Sequence, residues 1–492
     1  ILSFTTPDLP SMAMYRGETT SESIAHLSRT HLLSRSRYLP YFGSNLCILS
    51  FTTPDLPSMA MYRGDDVFAV VIDIGSSTLK AGYAGDDVPQ CVIPTDLGMV
   101  FSRGMDGVVG SGAMEDVAEA PSHYHIGTNA LSVHRAGMEV RPVMENGLIS
   151  DWDGVSKLLS HTLIERLQVD AKDHPVLLSE PSFNTSALRE KATELLFEEH
   201  GVRALFLAKS AVLSSFAHGR ATSIVFESGG GTTAAVPVHD GYVLSKAIVK
   251  SHLAGDELTK IYEHEMRSAG VELRPNFSIT KKMIREGEFQ VSNKALTGVT
   301  PSFRQYHQRL ILQDIKESVC KVSEAEFDLS AFAAAPPAAD APTYVLPDQT
   351  TYTPAAWRYR LPEILFNPAK YAPQTYEGFA QLSSLSGVHQ MMYQAITACD
   401  ADIKKDLYQN IFITGGNTLF PGFNDRFMLE LSNLFGSQIK LKNQSLPTAT
   451  ERKNATFIGG SILGSLGTFH QMWMSKEEYE EYGRGIVDRK CP

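Results

Sequence analysis

The sequence predicts an α/β fold of two domains facing each other across a cleft, and three stretches carry that reading. In residues 66–87, DVFAVVIDIGSSTLKAGYAGDD, Val67, Phe68, Val70, Val71 and Ile72 form an apolar, β-branched run that reads as a buried strand. The run stops at Asp73, passes through Gly75, Ser76, Ser77 and Thr78, and returns as a strand from Leu79 to Tyr83. The acid and the small residues thus occupy a hairpin tip, with Lys80 on the returning strand. Residues 223–237, SIVFESGGGTTAAVP, repeat the plan: strand, acid at Glu227, a tip containing Gly229, Gly230, Gly231 and Thr232, and a returning strand. The two acids lie too far apart for a short tandem array, so the hairpins read as two halves of one fold. A third strand and turn, IFITGGNT at 411–418, has Gly415 and Gly416 giving the backbone freedom to approach a flat ligand closely.

A tight polar turn exposes backbone N–H groups that attract phosphate oxygens, and Lys80 adds a charge-assisted donor. Asp73, an acceptor beside such an anion, makes sense when a hydrated Mg²⁺ lies between them. Either hairpin alone reads equally well as an ordinary surface turn. Two opposed hairpins plus a separate glycine turn describe a nucleotide held between two α/β domains.

Composition bounds the alternatives. A chain of 492 residues with 43% apolar content can bury large cores and should form two or more domains. The five cysteines, Cys47, Cys91, Cys320, Cys399 and Cys491, show no CxxC pairing, which fits free thiols in a reducing compartment. No apolar run approaches the roughly 18 residues of a membrane span. A net charge of −11 argues against a general nucleic-acid-binding surface and fits basic protein partners better.

Along the chain, ILSFTTPDLPSMAMYRG occurs at 1–17 and again, letter for letter, at 48–64. Packing constraints would tolerate drift, so identity points to a recent duplication or a misassembled gene model, the second being favoured, with Met59 or Met61 as a natural start. Residues 1–64 are expected to be disordered, since 18–47 lacks any sustained period. Residues 101–136, with scattered glycines and methionines, read as a mobile subdomain or loop. Helices are expected over 155–167, 187–199 and 210–219, in the stretch that continues from SHLAGDELT at 251–259 through Met266, and over 308–322, 403–407 and 424–434, with a buried strand at 174–181. Residues 287–302 carry no period and read as a surface loop, and 330–342, SAFAAAPPAADAP, as an exposed linker. The tail holds a small-residue helix, GGSILGSLGTF, and an acidic one, SKEEYEEYG.

From Asp65 to Pro492 the chain resembles the actin superfamily, through DIGSSTLKAGYAGDD, DHPVLLSE, AVLSSFAHGR, LAGDELT, DIKE, GGNTLFPGF and GGSILGSLGTFHQMWMSKEEYEEYG. Within it, VPVHDGYVLSKAIVKSHLAG, ITKKMIREG, the 287–302 insert and the terminal DRKCP are similar to the nuclear actin-related proteins of the fourth class. The resemblance implies duplicated ribonuclease-H-like domains in four subdomains around the cleft. The first lobe would be 65–217 plus 455–492, with 101–146 mobile, and the second 218–454, with 254–375 inserted. It implies ATP or ADP with Mg²⁺ as cofactors and Asp73 and Glu227 as holders of the metal through water. Asp73, Gly75, Ser76, Ser77, Thr78 and Lys80 fall on the first phosphate loop, and Glu227 to Thr232 on the second. Gly255, Lys316, Glu317, Gly415, Gly416, Asn417 and Lys453 fall on the nucleoside pocket. Lys453 in ERKN and the Lys316–Glu317 pair read equally as solvated charge on a helix face.

The same resemblance implies a nuclear subunit, partly cytoplasmic, of chromatin-remodelling and histone acetyltransferase complexes, with roles in transcription regulation and DNA repair. Its implied partners are actin and the helicase-SANT-associated helix of a catalytic subunit, with histones a further candidate. Three departures bear on chemistry. Ser210 stands where actin has a water-orienting glutamine, Gly230 where it has an aspartate and Ala234 where it has a histidine. Losing such groups typically costs about 10²–10⁴ in rate, so the cleft is expected to hold nucleotide as a pseudo-ATPase, weak hydrolysis being compatible with that. The competing readings are an actin-like cytoskeletal ATPase that polymerises, which needs the three missing groups, and a small-molecule kinase, which needs a catalytic carboxylate the sequence does not offer.

Overall fold

The computed structural model describes residues 68–101, 121–334 and 342–492. The duplicated segment and the expected disorder over 1–64 lie outside the described residues. So do the larger part of the 101–120 stretch and residues 335–341 of the low-complexity linker.

Two sheets organise the described residues. The first runs Met474–Ser475, Ala204–Lys209, Pro175–Glu180, Val70–Ile74, Thr78–Tyr83 and Cys91–Pro94. Pro175–Glu180 is parallel to both Val70–Ile74 and Ala204–Lys209. All six of its residues are buried, as a central parallel strand covered on both faces must be. The second sheet runs Tyr242–Val243, Thr233–His239, Ser223–Ser228 and Ile411–Thr414, with Val249–Ser251 also on Thr233–His239. In each sheet an antiparallel hairpin carries a parallel strand against its first arm: Pro175–Glu180 in one, Ile411–Thr414 in the other. The internal repeat inferred from the two acids is thus a repeat of topology. The chain's α/β architecture is that of a two-lobed actin-like fold.

Each sheet has its own apolar core. The first core also takes residues of the tail, including Phe469, Trp473, Met474, Ile486, Val487 and Cys491. The Ser210–Ala217 helix links the two halves: Leu213 belongs to the first core, while Ala211 packs with Val225, Ala234, Val236 and Phe412 under the second sheet. Because residues i and i+4 share a helix face, this placement turns Ser210 and Ser214 together toward the second hairpin.

The expected helices are found with shifted ends, and several expectations are corrected. Residues 287–302 are only in part a loop: 294–300 are irregular, but Glu288–Asn293 pairs with Ile279–Arg285 as a two-stranded hairpin turning at Gly287, which has φ +77°. Most side chains of that hairpin are exposed, so no burial period marks it in the sequence. The helix expected from 308 begins at Pro301 and runs to Val319, because the Thr300 hydroxyl accepts from the Phe303 N–H at 3.3 Å and Pro301 suits the first turn. Within the stretch expected to be a mobile subdomain or loop, residues 121–146 carry regular structure. His123–His125, Asp96–Val100 and Glu139–Pro142 form a three-stranded sheet, beside the short Thr128–Ser132 helix. The start of the 330–342 linker is likewise helical, as Leu329–Ala334, with the Asp328 carboxylate accepting from the Ser330 and Ala331 N–H groups.

Candidate functional site

Both hairpin tips and the Gly415–Gly416 turn open on one cleft of about 580 Å³. Every residue assigned from sequence to nucleotide binding lines it: Asp73, Gly75 to Thr78 and Lys80 on one wall, Glu227 and Gly229 to Thr232 on the other. Gly255, Lys316, Glu317, Gly415, Gly416, Asn417 and Lys453 complete the lining. This volume lies within the usual range for small-molecule pockets.

At the first tip the turn closes through the Gly75 N–H to the Thr78 carbonyl at 3.1 Å. Asp73 and Lys80 stand opposite each other in the hairpin register, and Lys80 Nζ donates to Asp73 Oδ2 at 2.8 Å. The other carboxylate oxygen accepts from Ser179 Oγ at 2.6 Å, from the neighbouring parallel strand. Lys80 is only 8% exposed, so its charge is oriented by the protein and little screened by water.

The second tip closes in the same way, Gly229 N–H to the Thr232 carbonyl at 3.1 Å, but its chemistry differs. The residue across from Glu227 is Ala234, so no cation faces the acid there. Instead two hydroxyls hold the carboxylate: Ser210 Oγ donates to Oε2 at 2.8 Å and Ser214 Oγ to Oε1 at 3.1 Å. Burial pushes the Glu227 pKa up to about 7. The two hydroxyls pull against that, and the Asp73 charge adds to it.

The nucleoside-side residues divide into scaffolding and lining. Asn417 Nδ2 donates to Ser228 Oγ at 3.0 Å and to the Gly229 carbonyl at 2.8 Å, tying the glycine turn to the second hairpin. The Gly255 and Asp256 N–H groups, opening the Gly255–Ser268 helix, donate to the Gly229 and Gly230 carbonyls at 3.0 and 2.8 Å. Lys316 is buried, and its ammonium donates to the Gly255 carbonyl at 2.8 Å and Thr259 Oγ1 at 3.0 Å. Burial lowers its pKa. Lys316 therefore braces the helix start, whereas Glu317 and Lys453 are exposed at the cleft wall. Gly415 has φ +95°, and a Cβ there would lie 2.2 Å from the Ser228 carbonyl oxygen, so only glycine fits. At Gly416 a Cβ would meet nothing within 4 Å, which leaves its face open.

The tips nearly touch. A Cβ at Gly230 would come within 2.3 Å of Ser77 Oγ, and one at Gly231 within 2.5 Å of Ser76 Oγ. Between them Thr232 Oγ1 is buried without a hydrogen-bond partner, a donor of the kind a phosphate oxygen satisfies. With Lys80 and the two small-residue turns it forms a set that fits a phosphate chain. Asp73 and Glu227 both line the cleft, near enough for the Asp73 charge to raise the Glu227 pKa, and are the acids that would hold a hydrated divalent cation.

Sequence reasoning missed Ser179, Ser214, Asp96, Tyr306 and Arg309, all but Ser214 lining the cleft. Ser179 was legible in principle as the hydroxyl residue of HPVLLSEP, one residue before the strand ends at Glu180. Ser214 follows from helical spacing once Ser210 is placed. Arg309 donates to Asp96 at 2.6 Å from 213 residues away, and no local pattern announces that pair.

Among known families, the actin family model matches residues 64–492. Actin-related protein 4 of Oryza sativa subsp. indica is 41% identical over 446 residues, covering 87% of this chain and 99% of its own length. The protein of that name from Arabidopsis thaliana is 40% identical over 448 residues with the same coverage. That from Yarrowia lipolytica is 35% identical over 435 residues, covering 87% of this chain and 96% of its own. A duplicated hairpin-and-strand core around one cleft, matched over nearly all of its length in these relatives, places the chain in the actin family, among the actin-related proteins of class 4.

Proposed function

We propose that the chain is a nucleotide-holding, non-hydrolysing actin-related subunit that scaffolds chromatin-remodelling and histone acetyltransferase complexes in the nucleus. The family binds ATP or ADP with a divalent metal, and the cleft has the donors for both. The observation that carries the non-hydrolysing part is the clamp of Ser210 and Ser214 on Glu227. In actin a longer side chain at the Ser210 position reaches the attacking water. Here the hydroxyl at that position is committed to a carboxylate, and Ala234 offers no proton acceptor beside it.

When bound, Mg²⁺ would neutralise the phosphate charge. Asp73 and Glu227 would hold it through its water shell, Lys80 and Thr232 would contact phosphate oxygens, and the Gly415–Gly416 turn would lie against the base. Actin and a helix of the catalytic subunit are the partners this reading expects, with histones as a further one. Single-turnover assays with bound Mg²⁺–ATP should show nucleotide persisting for hours. Hydrolysis within minutes would sink the pseudo-ATPase reading. Affinity purification of an endogenously tagged chain should recover remodeller or acetyltransferase subunits together with actin, and recovery with filament regulators instead would sink the scaffold.

A further inference from the structure

The ribbon of Ile279–Arg285 and Glu288–Asn293 takes no part in lining the cleft and, among the described residues, pairs with no other strand. It is rooted at its base, where Ile279 is 3% exposed and the Lys294 N–H donates to the Ser278 carbonyl at 2.8 Å. Beyond Ile279 every residue of the first strand is exposed, Met283 by 62% and Ile284 by 57%. A two-stranded ribbon by itself is marginal in water, and a third strand is what ordinarily supports one. The outer edge of each strand still carries backbone N–H and C=O groups that no further strand of the described residues takes up.

The two edges differ in charge. The first strand holds Lys281, Lys282 and Arg285 and no acid, whereas the second holds Glu288 and no base. Among the described residues none of those three cations is ion-paired. On the approach to the ribbon, by contrast, Arg267 and Arg274 are each paired at 2.6 Å, with Glu263 and Glu272. The register sets Lys281 opposite Val291 and Met283 opposite Phe289 on one face, and Lys282 opposite Gln290 on the other. A strand added along Thr280–Met283 therefore meets a cation on each face and a thioether beside one of them. The pattern ends there, because the register shifts between Met283 and Arg285 and leaves Ile284 outside the pairing.

We propose that the Thr280–Met283 edge is a docking strand for an extended acidic segment of another protein, which joins the ribbon as its third strand. Two adjacent carboxylates of that segment reach Lys281 and Lys282 on opposite faces, and a β-branched apolar side chain next to them packs on Met283. Charge decides among the occupants. A second copy of this chain would set lysine against lysine across the new pair, which is destabilising. A nucleic acid would use the lysines but neither the free backbone edge nor Met283, and a chain of net charge −11 would repel its phosphates along their length. A short acidic strand uses all three features: the backbone supplies affinity and the alternating side chains supply specificity.

The probe for this site is a fluorescently labelled synthetic peptide, Thr-Val-Glu-Glu-Thr-Val, added to the full chain and followed by anisotropy. It is compared with the same peptide carrying lysine for glutamate, the same peptide N-methylated along its backbone, and a mixed-sequence DNA duplex. The glutamate peptide should bind and the lysine peptide should not. N-methylation should weaken binding tenfold or more, because it removes the donors of the added strand and keeps its charge. Lys281→Glu combined with Lys282→Glu should also cost tenfold or more. Lys405→Glu combined with Lys440→Glu, the same change of charge at two exposed lysines elsewhere, should stay within twofold. All four side chains are exposed, so both double variants should melt with the unmodified chain. Amide exchange at residues 280–283 should slow when the peptide is added. Equal binding of the N-methylated peptide would reduce the contact to charge alone and overturn strand addition. Tighter binding of the duplex would overturn the acidic segment in favour of nucleic acid. Absence of glutamate-peptide binding, with exchange at 280–283 unchanged, would overturn the docking strand outright and leave its lysines as guards against edge pairing.

Discussion

Ser210 donates its hydroxyl to Glu227 Oε2 at 2.8 Å, and one helical turn later Ser214 donates to the other oxygen of the same carboxylate. The position that would orient water is thus used to hold an acid. Rebuilding hydrolysis takes more than supplying a glutamine. Ser210→Gln alone leaves Glu227 short of a donor and Ala234 unchanged, and residues that act as a unit do not contribute additively. The triple change Ser210→Gln, Gly230→Asp and Ala234→His would supply all three groups, yet a Cβ at Gly230 falls 2.3 Å from Ser77 Oγ and 3.2 Å from an Asp256 carboxylate oxygen. We expect Gly230→Asp by itself to lower the melting temperature, at a cost of about 1–3 kcal/mol for overpacking, with like-charge repulsion in addition. A Gly230→Asp variant that melts with the unmodified chain would show that the tips have room to separate.

The raised pKa of Glu227 has a signed consequence. Its folded value of about 7 lies above the ordinary 4.5, so the folded, ligand-free protein binds a proton more tightly than the unfolded chain. Stability from this group is fully present below pH 4.5 and is lost as pH rises through 7, by on the order of 3 kcal/mol at most. Glu227→Gln should flatten that part of the stability profile between about pH 5 and 7.5, measured by thermal melting without nucleotide. An unchanged slope would mean that Glu227 is already ionised well below neutrality.

Lys80 and Asp73 are predicted to carry ligand stabilisation. Mg²⁺–ATP at about 100 times its dissociation constant should stabilise the unmodified protein by about 2.7 kcal/mol. Lys80→Ala and Asp73→Ala should each abolish the corresponding shift in melting temperature, because each breaks the 2.8 Å pair that organises the first tip. Retention of the full shift by either variant would remove the first hairpin from the binding site.

A buried arginine ties the carboxy-terminal tail to the first sheet. Arg189, 6% exposed, donates through Nε to Glu180 at 2.9 Å, through Nη1 to Asp488 at 2.6 Å and through Nη2 to the Cys491 carbonyl. Arg189→Met would leave the buried Glu180 with Lys209, 3.3 Å away, as its remaining charged partner in this network. Removing one partner of a buried pair typically costs about 3–5 kcal/mol. Thermal melting should show a loss of that order, with faster proteolysis near residue 488. Arg484→Met, at a half-exposed surface pair, should do neither.

The local and the repeated parts of this fold are legible in the sequence alone. In both places where an apolar run ends in an acid followed by a glycine-containing polar turn and a second apolar run, the chain folds as a hairpin. Two such runs with a third glycine turn specified the walls of the cleft, and all of the lining residues named from sequence do line it. Tertiary structure decided what each side chain does there. Lys316 was legible as a pocket lysine, but only the approach of the Gly255 helix turns its ammonium onto a backbone carbonyl. The packing of Leu131, inside the 101–136 stretch that read as loose, was likewise decided by the tertiary fold. Leu131, Met138 and Val140 are too few to form a core alone, and Phe303 and Tyr306, which complete it, come from a distant helix that meets them at the Val140–Ser302 bond, 162 residues apart in the chain. A contact between segments so distant leaves no periodicity in either, because burial is decided by what the fold brings opposite and not by the neighbours in sequence.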